Sequence, residues 1–371
     1  MRKELLLLGA FGMLTTATLC AQEFHLQPTP QEYITQKDSV DIPRQYQILS
    51  GNSVQDGPAL PLLRSLMPEE VLGASFRVYI GVKGDKIIKK YQHRIPRKSE
   101  GYFLKIEKDC IVIAGADERG AYYGVQTLAQ LLALDKLPLA EVTDYPDVPY
   151  RGVVEGFYGA PWSQEACIRQ LDFYGRNKMN VYIYGPKDDP YHRTPNWRKP
   201  YPAREGEELK VLVNRAKENN VIFYWAIHPG QDIRWNEEDR SLLLQKFESM
   251  YQLGVRGFAV FFDDISGEGT KADKQAELLN YIDDHFVKVK RDVAPLILCP
   301  TEYNKSWTDV EGGYLTTLGD KLNEGIKVMW TGDMVVATID KSTLDFVNPL
   351  LKRKAYIWWN FPVSDYVQDH L

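Results

Sequence analysis

Two adjacent carboxylates are the feature of this sequence best suited to chemistry. Asp263 and Asp264 directly follow the apolar run at residues 257–262. Within a strand their side chains would point to opposite faces, but past the strand end the chain can turn and direct both into one cleft. Two carboxylates so close cannot both ionise freely, so their pKa values should split. The pair would then supply one ionised group and one proton donor, as hydrolysis of a glycosidic bond requires.

An aspartate pair also occurs for reasons unrelated to catalysis. It can solvate the loop that carries it, or it can ligate a metal ion. The dipeptide alone does not decide between these interpretations, so the positions of the other polar residues must be considered.

Polar or glycine-containing motifs follow the other apolar runs as well. Gly156-Phe157-Tyr158-Gly159 would let a ligand approach the backbone, because glycine carries no side chain. Lys187 offers a cation for hydroxyl groups, although a solvated surface lysine is the commoner case. His228 follows the third run, where a single histidine is more often a hydrogen-bonded structural residue than a catalyst.

The apolar runs themselves predict the architecture. They are nearly continuous, which indicates strands buried on both faces, and they fall at residues 152–155, 180–184, 221–227, 257–262, 295–299, 326–330 and 355–359. Amphipathic helices are predicted between them at 164–174, 207–218, 240–251 and 275–289. A doubly wound sheet would fit this alternation, but polar motifs after every strand favour a barrel. We therefore predict an α/β protein with a TIM (β/α)8 barrel over residues 148–371, truncated after strand seven.

A small α/β domain is predicted at residues 22–147, before the barrel. Residues 76–82 are typical of a strand, and 102–106 with 111–114 are typical of a hairpin. A helix face repeats through Ala121, Val125, Leu128 and Leu132, and Asp117 is placed to cap that helix.

Residues 1–21 are typical of a secretory signal peptide. Arg2 and Lys3 precede an apolar run at 5–19, and Ala21 offers a small residue for cleavage. Cys20 raises the alternative of a lipoprotein, but Leu19 before it is larger than such sites prefer. The sequence therefore predicts an exported protein, periplasmic or secreted, without stable membrane insertion after cleavage.

Composition and missing motifs exclude several function classes. A net charge of −5 does not favour a nucleic-acid partner, which would need a basic surface. Neither a Gly-rich phosphate loop nor a Gly-x-Ser-x-Gly elbow occurs, and six histidines show no paired metal spacing. We predict no cofactor and no metal.

Five motifs resemble glycoside hydrolase family 84, the β-N-acetylglucosaminidases that include bacterial relatives of protein O-GlcNAcase. They are RGVVEGFYG at 151–159, YGPKDDPY at 184–191, FFDDI at 261–265, TEYN at 301–304 and WWNFP at 358–362. They come in the order of that family and at comparable separations. The preceding small α/β domain resembles the one that precedes such barrels.

The resemblance implies roles for particular residues. Asp263 would orient and polarise the 2-acetamido group of the substrate, and Asp264 would act as general acid and then base. The acetamido oxygen would be the nucleophile, giving an oxazoline intermediate and retained stereochemistry. Sugar contacts are implied for Gly156, Lys187, Asn360 and Asp365. The acetamido pocket would be shaped by Tyr303, Thr331 and Trp358, with Tyr158 close by.

The resemblance also implies the partner, a GlcNAc-containing glycan or glycoprotein. Family members continue through an eighth strand that supplies a further asparagine to the sugar. Two alternatives therefore stay open. One is a GlcNAc-binding protein whose catalysis is impaired by an incomplete barrel, and the other is a TIM-barrel lyase or aldolase that uses Lys187 as a Schiff base.

Overall fold

The computed structural model describes residues 25–67 and 69–360, which form two β-sheets of seven strands each. The predicted signal peptide at 1–21, Cys20 within it and the predicted sugar ligand Asp365 lie outside these residues. The first sheet is mixed, whereas the second is parallel throughout.

The first sheet and its helices occupy the N-terminal part of the chain. Its strands are β1 (Glu32–Val40), β2 (Gln45–Ser50), β3 (Glu69–Glu70), β4 (Arg77–Val82), β5 (Tyr102–Ile106), β6 (Cys110–Gly115) and β7 (Leu137–Asp144). Its helices are α1 (Ala59–Leu66) and α2 (Glu118–Leu132). The strand order is β1-β7-β5-β6-β4-β2-β3.

Helix α2 packs its apolar face on this sheet. Ala121, Val125 and Leu128 are fully buried, as the periodicity predicts. A carboxylate oxygen of Asp117 accepts a hydrogen bond from the Gly120 amide at 2.8 Å, so the predicted N-cap is confirmed. The predicted strand and hairpin are also confirmed, within one or two residues at their ends.

The second sheet contains the strands that follow. They are β8 (Gly152–Glu155), β9 (Val181–Tyr184), β10 (Ile222–Ile227), β11 (Gly257–Phe261), β12 (Ile297–Cys299), β13 (Lys327–Trp330) and β14 (Tyr356–Ile357). The helices are α3 (Gln164–Arg176), α4 (Ala203–Glu218), α5 (Glu237–Gln252), α6 (Ala272–Ile282), α7 (Tyr314–Lys321) and α8 (Lys341–Leu351). Each strand pairs with its neighbour in sequence, in the order β14-β13-β12-β11-β10-β9-β8.

Alternate residues of these strands form two separate apolar layers. Tyr224 and Ala226 of β10 lie in the inner cluster together with Phe261 of β11. Phe223 and Trp225 belong to the outer cluster, which includes residues of the flanking helices. An inner core enclosed by a curved parallel sheet, with helices outside it, is the arrangement of a (β/α)8 barrel. The predicted fold class is confirmed by seven such strands after a small α/β domain.

The two edges of the barrel sheet approach each other near its amino-terminal end. Tyr150, two residues before β8, and Tyr356 of β14 place their ring centroids 5.0 Å apart. In the part of the chain that the structure describes, no backbone pairing joins β8 to β14. Contact between the edges is made there by side chains.

Buried polar groups connect the small domain to the barrel. Lys178 Nζ donates to Asp144 Oδ2 and to the Tyr102 hydroxyl, both at 2.8 Å. The Arg151 guanidinium donates to Glu100 at 2.7 Å, and the Asn180 amide donates to the same carboxylate at 2.9 Å. These contacts lie at the entry to β8 and β9, so they fix the base of the barrel against the first sheet.

Within residues 25–67 and 69–360, no helix combines the length and apolarity needed to cross a membrane. Helices α1, α7 and α8 were not among those predicted from the sequence.

Candidate active site

The carboxyl ends of the barrel strands gather the residues that the sequence singled out. Asp263 and Asp264 follow β11, Lys187 follows β9, and Tyr158 follows β8. Tyr303 lies four residues beyond β12. In a (β/α)8 barrel this end of the sheet is where catalytic residues collect.

Asp263 forms a buried ion pair with Lys187. Nζ of Lys187 lies 2.5 Å from Oδ2 of Asp263, and both residues are at most 3% exposed. The interpretation of Lys187 as a solvated surface lysine is therefore wrong. Its ammonium is held by a carboxylate, an arrangement that does not favour a Schiff base, which needs an unprotonated amine.

The ion pair keeps Asp263 ionised. Burial would raise the pKa of Asp263, but the positive charge of Lys187 and the interaction with His228 outweigh burial and hold this pKa well below its usual range. The ionised member of the pair expected from the sequence is thus Asp263. It can act only as a hydrogen-bond acceptor.

The second oxygen of this carboxylate is available. Among the residues that the structure describes, Oδ1 of Asp263 is buried and has no hydrogen-bond partner. His228 Nε2 lies 3.4 Å from Oδ1, but its hydrogen bond goes to the Asp263 carbonyl oxygen at 2.7 Å. An unsatisfied buried carboxylate oxygen costs free energy unless a ligand donates to it.

Asp264 lies in a turn that separates its environment from that of Asp263. Its φ of 56° is in the left-handed region, and its side chain is exposed whereas Asp263 is buried. Aspartate tolerates this conformation better than most residues. The turn replaces the opposite orientation that a continued strand would impose, as expected from the sequence.

Two tyrosine hydroxyls donate to Asp264. Tyr158 lies 3.0 Å from Oδ2, and Tyr303 lies 3.1 Å from Oδ1. Burial and the neighbouring charge of Asp264 raise the pKa of both phenols, so they remain protonated donors. The Tyr158 ring also lies 5.7 Å from Lys187 Nζ, which places both aspartates beside one cleft.

Aromatic rings surround Tyr303. Its ring centroid lies 4.9 Å from that of Trp307 and 5.5 Å from that of Trp358. Trp358 is half-buried, whereas its neighbour Trp359 is 61% exposed. Of the two successive tryptophans, Trp358 is therefore the one that faces the site.

Thr331 lies behind Tyr303 and is fully buried. Its backbone amide donates to the Tyr303 carbonyl at 2.9 Å, and its hydroxyl donates to the Met334 carbonyl at 2.9 Å. In this structure Thr331 fixes the backbone of the segment that carries Tyr303.

The remaining predicted sugar ligands have fewer contacts. Gly156 follows β8 directly and is half-buried, and a Cβ atom built there would meet only the Val154 Cγ2 methyl, at 3.3 Å. Asn360 is half-buried and is the last described residue.

Three buried polar residues that support the site were not assigned to it from the sequence. Glu155 accepts hydrogen bonds from the Tyr182 hydroxyl and, at 2.8 Å, from the Trp162 amide. Glu155 is the last residue of β8, so its bond to Trp162 connects the two ends of the loop that carries Tyr158, and Tyr182 of β9 orients the carboxylate. A lone acidic residue ending the apolar run at 152–155 was the available signal.

The other two are histidines. His228 was interpreted as structural, and it does form a structural hydrogen bond, but one that goes to the Asp263 backbone. His192 is fully buried, and its Nδ1 lies 2.8 Å from the Ala226 carbonyl oxygen. It lies in the long loop after β9, where no sequence pattern distinguishes it.

No group of three or more His, Cys, Asp or Glu residues that could hold a metal ion occurs between residues 25 and 360, leaving aside position 68. The groups brought together here are an ionised acceptor, a second carboxylate with two phenol donors, a buried cation and an aromatic wall.

Two family models match the chain. The beta-N-acetylglucosaminidase model matches residues 151–371, and the model of Glycosyl hydrolase family 20, domain 2, matches residues 23–145.

Curated relatives agree with the first of these. Protein O-GlcNAcase from Rattus norvegicus is 36% identical over 230 residues, as is the same protein from Mus musculus. Each match covers 59% of this chain and 25% of the relative. A Beta-hexosaminidase from Vibrio vulnificus is 29% identical over 167 residues, which are 44% of this chain and 19% of that protein. This chain thus spans about a quarter or less of the length of these relatives.

Two solved structures match over more of the chain, and a third matches over a similar part. CpGH84B is 36% identical with a TM-score of 0.86, covering 93% of this chain and 63% of that one. CpGH84D is 29% identical with a TM-score of 0.84, covering 93% and 61%. An O-GlcNAc hydrolase mutant from Thermobaculum terrenum is 33% identical with a TM-score of 0.54, covering 58% and 48%.

The family model covers more than half of the chain and begins at the residue where the first quoted motif begins. The resemblance found in five strand-end motifs is therefore confirmed by whole-domain similarity in sequence and in fold. This chain belongs to glycoside hydrolase family 84, the beta-N-acetylglucosaminidases.

Proposed function

We propose that this protein is a retaining exo-β-N-acetylglucosaminidase that removes terminal β-linked GlcNAc by substrate-assisted catalysis. One observation carries the proposal: Asp263 is buried and ionised, with Oδ2 held by Lys187 and Oδ1 lacking a partner among the described residues. A carboxylate oxygen in this state fits the N–H of an acetamido group.

The first step would begin at that oxygen. The substrate amide donates its N–H to Asp263 Oδ1, which increases electron density on the acetamido oxygen. This oxygen attacks the anomeric carbon and forms a C–O bond, while the glycosidic C–O bond breaks. Protonated Asp264 gives its proton to the departing oxygen, and the oxazoline remains as an oxazolinium ion whose N–H is still donated to ionised Asp263.

The second step would use the same residues in reverse. Ionised Asp264 accepts a proton from water, and the water oxygen attacks the anomeric carbon. The oxazoline C–O bond breaks, its electron pair returns to the acetamide, and Asp264 is protonated again. Two inversions at one carbon give overall retention. Tyr158 and Tyr303 would hold the Asp264 carboxylate in place through both steps.

The names of the relatives support the substrate class. They include Protein O-GlcNAcase, Beta-hexosaminidase and N,N'-diacetylchitobiase. We propose that the partners of this chain are GlcNAc-containing glycans or glycoproteins.

We also propose that the chain is exported and that its two domains divide near residue 147. The charged start, apolar run and small residues of 1–21 support export. The Pro-containing stretch after β7 supports the division, because proline disfavours regular structure there.

The activity test is hydrolysis of a β-GlcNAc glycoside, with release of 4-nitrophenol as the signal and NMR of the first sugar product as the stereochemical readout. We expect the β-anomer first. Asp264→Asn should lower kcat by ~10²- to 10⁴-fold, because it removes the proton donor. Asp188→Asn is the matched control, because Asp188 is the exposed member of a second pair of adjacent aspartates, Asp188 and Asp189. This variant should be as active as the parent.

Equal activity in the Asp264→Asn variant and the parent would contradict the acid–base assignment. Binding of a GlcNAc-thiazoline inhibitor by calorimetry completes the test. Tight binding by a parent protein without turnover would instead support the alternative, a GlcNAc-binding protein with impaired catalysis.

A further inference from the structure

His228 contacts the peptide group that joins the two aspartates. Its Nε2 lies 2.7 Å from the carbonyl oxygen of Asp263, and both residues are buried. A carbonyl oxygen can only accept, so Nε2 must carry the hydrogen. The contact is therefore a hydrogen bond donated by His228.

The position of this hydrogen bond allows it to affect the orientation of both carboxylates. The Asp263 carbonyl belongs to the peptide plane that leads into Asp264, where the backbone enters the left-handed region at a φ of 56°. Fixing that plane sets the direction in which Asp264 leaves the strand. It also limits the direction of the Asp263 side chain, because that side chain and the fixed carbonyl group are attached to the same Cα atom.

A second histidine fixes the backbone around His228. The His228 amide donates to the His192 carbonyl at 2.8 Å, and His192 Nδ1 donates to the Ala226 carbonyl at 2.8 Å. Burial and the nearby His228 hold the pKa of His192 well below its usual range, so this imidazole is neutral. The end of β10 is thereby connected to the loop that carries Lys187.

We propose that His228 is a positioning residue, which holds the Asp263–Asp264 peptide so that both carboxylates face one substrate. The proposal rests on the proposed function and deepens it, since it adds a residue on which the reaction depends but which touches no reacting atom. The hydrogen bond between His228, after β10, and Asp263, after β11, would thereby help to set the geometry of the reacting groups.

The competing explanation is that His228 only fills space in the barrel. Two amide variants separate the explanations, because they differ by one methylene group. His228→Gln places an amide nitrogen near the position of Nε2 and can still donate to the carbonyl. His228→Asn carries the same amide on a shorter side chain that cannot reach it.

We expect His228→Asn to lower kcat/KM by ~10²-fold, as a displacement of about 1 Å at the reacting groups would. His228→Gln should recover most of this loss. Thermal melting establishes that each variant folds, and His228→Leu is a second non-donating variant if the asparagine variant does not fold.

A pH profile supplies a readout that space-filling alone would not change. The titratable groups that interact with Asp263 are Lys187, His192, His228, Cys299, Tyr158 and Tyr303, and Asp264 follows it in the chain. Of these, His228 and Lys187 lower the pKa of Asp263. Loss of the histidine should therefore move the acid limb of kcat/KM to higher pH in the Asn, Leu and Gln variants, since none of them carries the imidazole.

Failure of this proposal can be distinguished from failure of the proposed function. A parent protein that neither hydrolyses the glycoside nor binds the GlcNAc-thiazoline inhibitor would overturn the proposed function and this proposal with it. An active parent whose His228→Asn and His228→Leu variants keep its rate and its acid limb would overturn this proposal alone. So would equal losses in the Gln and Asn variants.

Discussion

Lys187 Nζ lies 2.5 Å from Asp263 Oδ2, although the two residues follow strands that are not adjacent in the barrel sheet. The strand between them, β10, carries the His228 contact to the same aspartate. Three consecutive strands thus determine the charge and orientation of one carboxylate. Substitutions at these positions should change pH dependence as well as rate.

Replacing Lys187 tests its effect on Asp263. In Lys187→Met the buried carboxylate loses its cation, so the pKa of Asp263 should rise from its depressed value. In the proposed mechanism Asp263 acts in its ionised form, so activity should be lost as pH falls through that pKa. A higher pKa therefore moves the acid limb of kcat/KM to higher pH, which a profile from pH about 4 to about 8 would detect.

Lys199→Met, at an exposed lysine of the same loop, is the control for the loss of a cation. An unchanged acid limb in Lys187→Met would contradict a direct effect of the ion pair. The free energy of unfolding of Lys187→Met should also fall by ~3–5 kcal/mol, because the buried charge of Asp263 is left unpaired.

The two phenols on Asp264 can be removed one at a time. Tyr303→Phe and Tyr158→Phe each delete one hydrogen bond to a carboxylate oxygen and leave the ring in place. Such a bond contributes ~1.5–3 kcal/mol, so kcat/KM should fall by ~10- to 100-fold in each variant. Tyr281→Phe on α6 is a control away from the site, and a loss of equal size there would contradict the assignment.

Gly156 offers a test of ligand approach that is separate from stability. In Gly156→Ala the new methyl group would meet only the Val154 Cγ2 atom, and the backbone is not in the left-handed region. The free energy of unfolding should therefore change by less than ~1 kcal/mol. If a sugar packs on this glycine, KM should rise by ~10-fold or more.

Gly325→Ala is the matched control, since a Cβ atom there meets no heavy atom within 4 Å. Unchanged KM in both variants would remove Gly156 from the set of substrate contacts.

The buried pair between the domains should govern stability. Lys178→Met leaves Asp144 buried without its cation and should lower the free energy of unfolding by ~3–5 kcal/mol. Adding Asp144→Asn removes the unpaired charge, so the double variant should be more stable than Lys178→Met alone. Urea unfolding of the four proteins in this cycle measures the coupling, and additive losses would contradict it.

The architecture was largely predictable from local patterns. The seven barrel strands were recognisable because burial on both faces demands continuous apolar runs, and each was located within three residues at its ends. The cap of α2 was recognisable because an aspartate before a periodic helix accepts from its first free amides. These features depend on residues close together in sequence.

Several of the missed elements lack such local signals. Helix α8 contains Pro349, and α7 is short, contains Gly319 and begins after two glycines. Strand β1 is an edge strand with mostly exposed residues, and only its pairing with β7, about a hundred residues later, makes it regular. Propensity and periodicity do not contain that information.

The site divides in the same way. Residue types at strand ends predicted that Asp263, Asp264, Lys187 and Tyr303 lie near one another, because a barrel brings these ends together. The particular contacts were not predictable, since side-chain reach across strands decides them. The lysine was thus expected to meet sugar hydroxyls, and the structure pairs it with the aspartate.

The left-handed backbone at Asp264 has a consequence for protein engineering. Most side chains would lose ~1–2 kcal/mol there, and branched ones would lose more. Asp, Asn and Gly suit the conformation best, and of these three only Asp carries a titratable proton. In a saturation library at position 264, most variants would therefore lose stability as well as the carboxyl group, so a lower activity would have two causes. The melting temperature of each variant would have to be measured beside its rate to separate the effect of the turn from the effect of the missing proton.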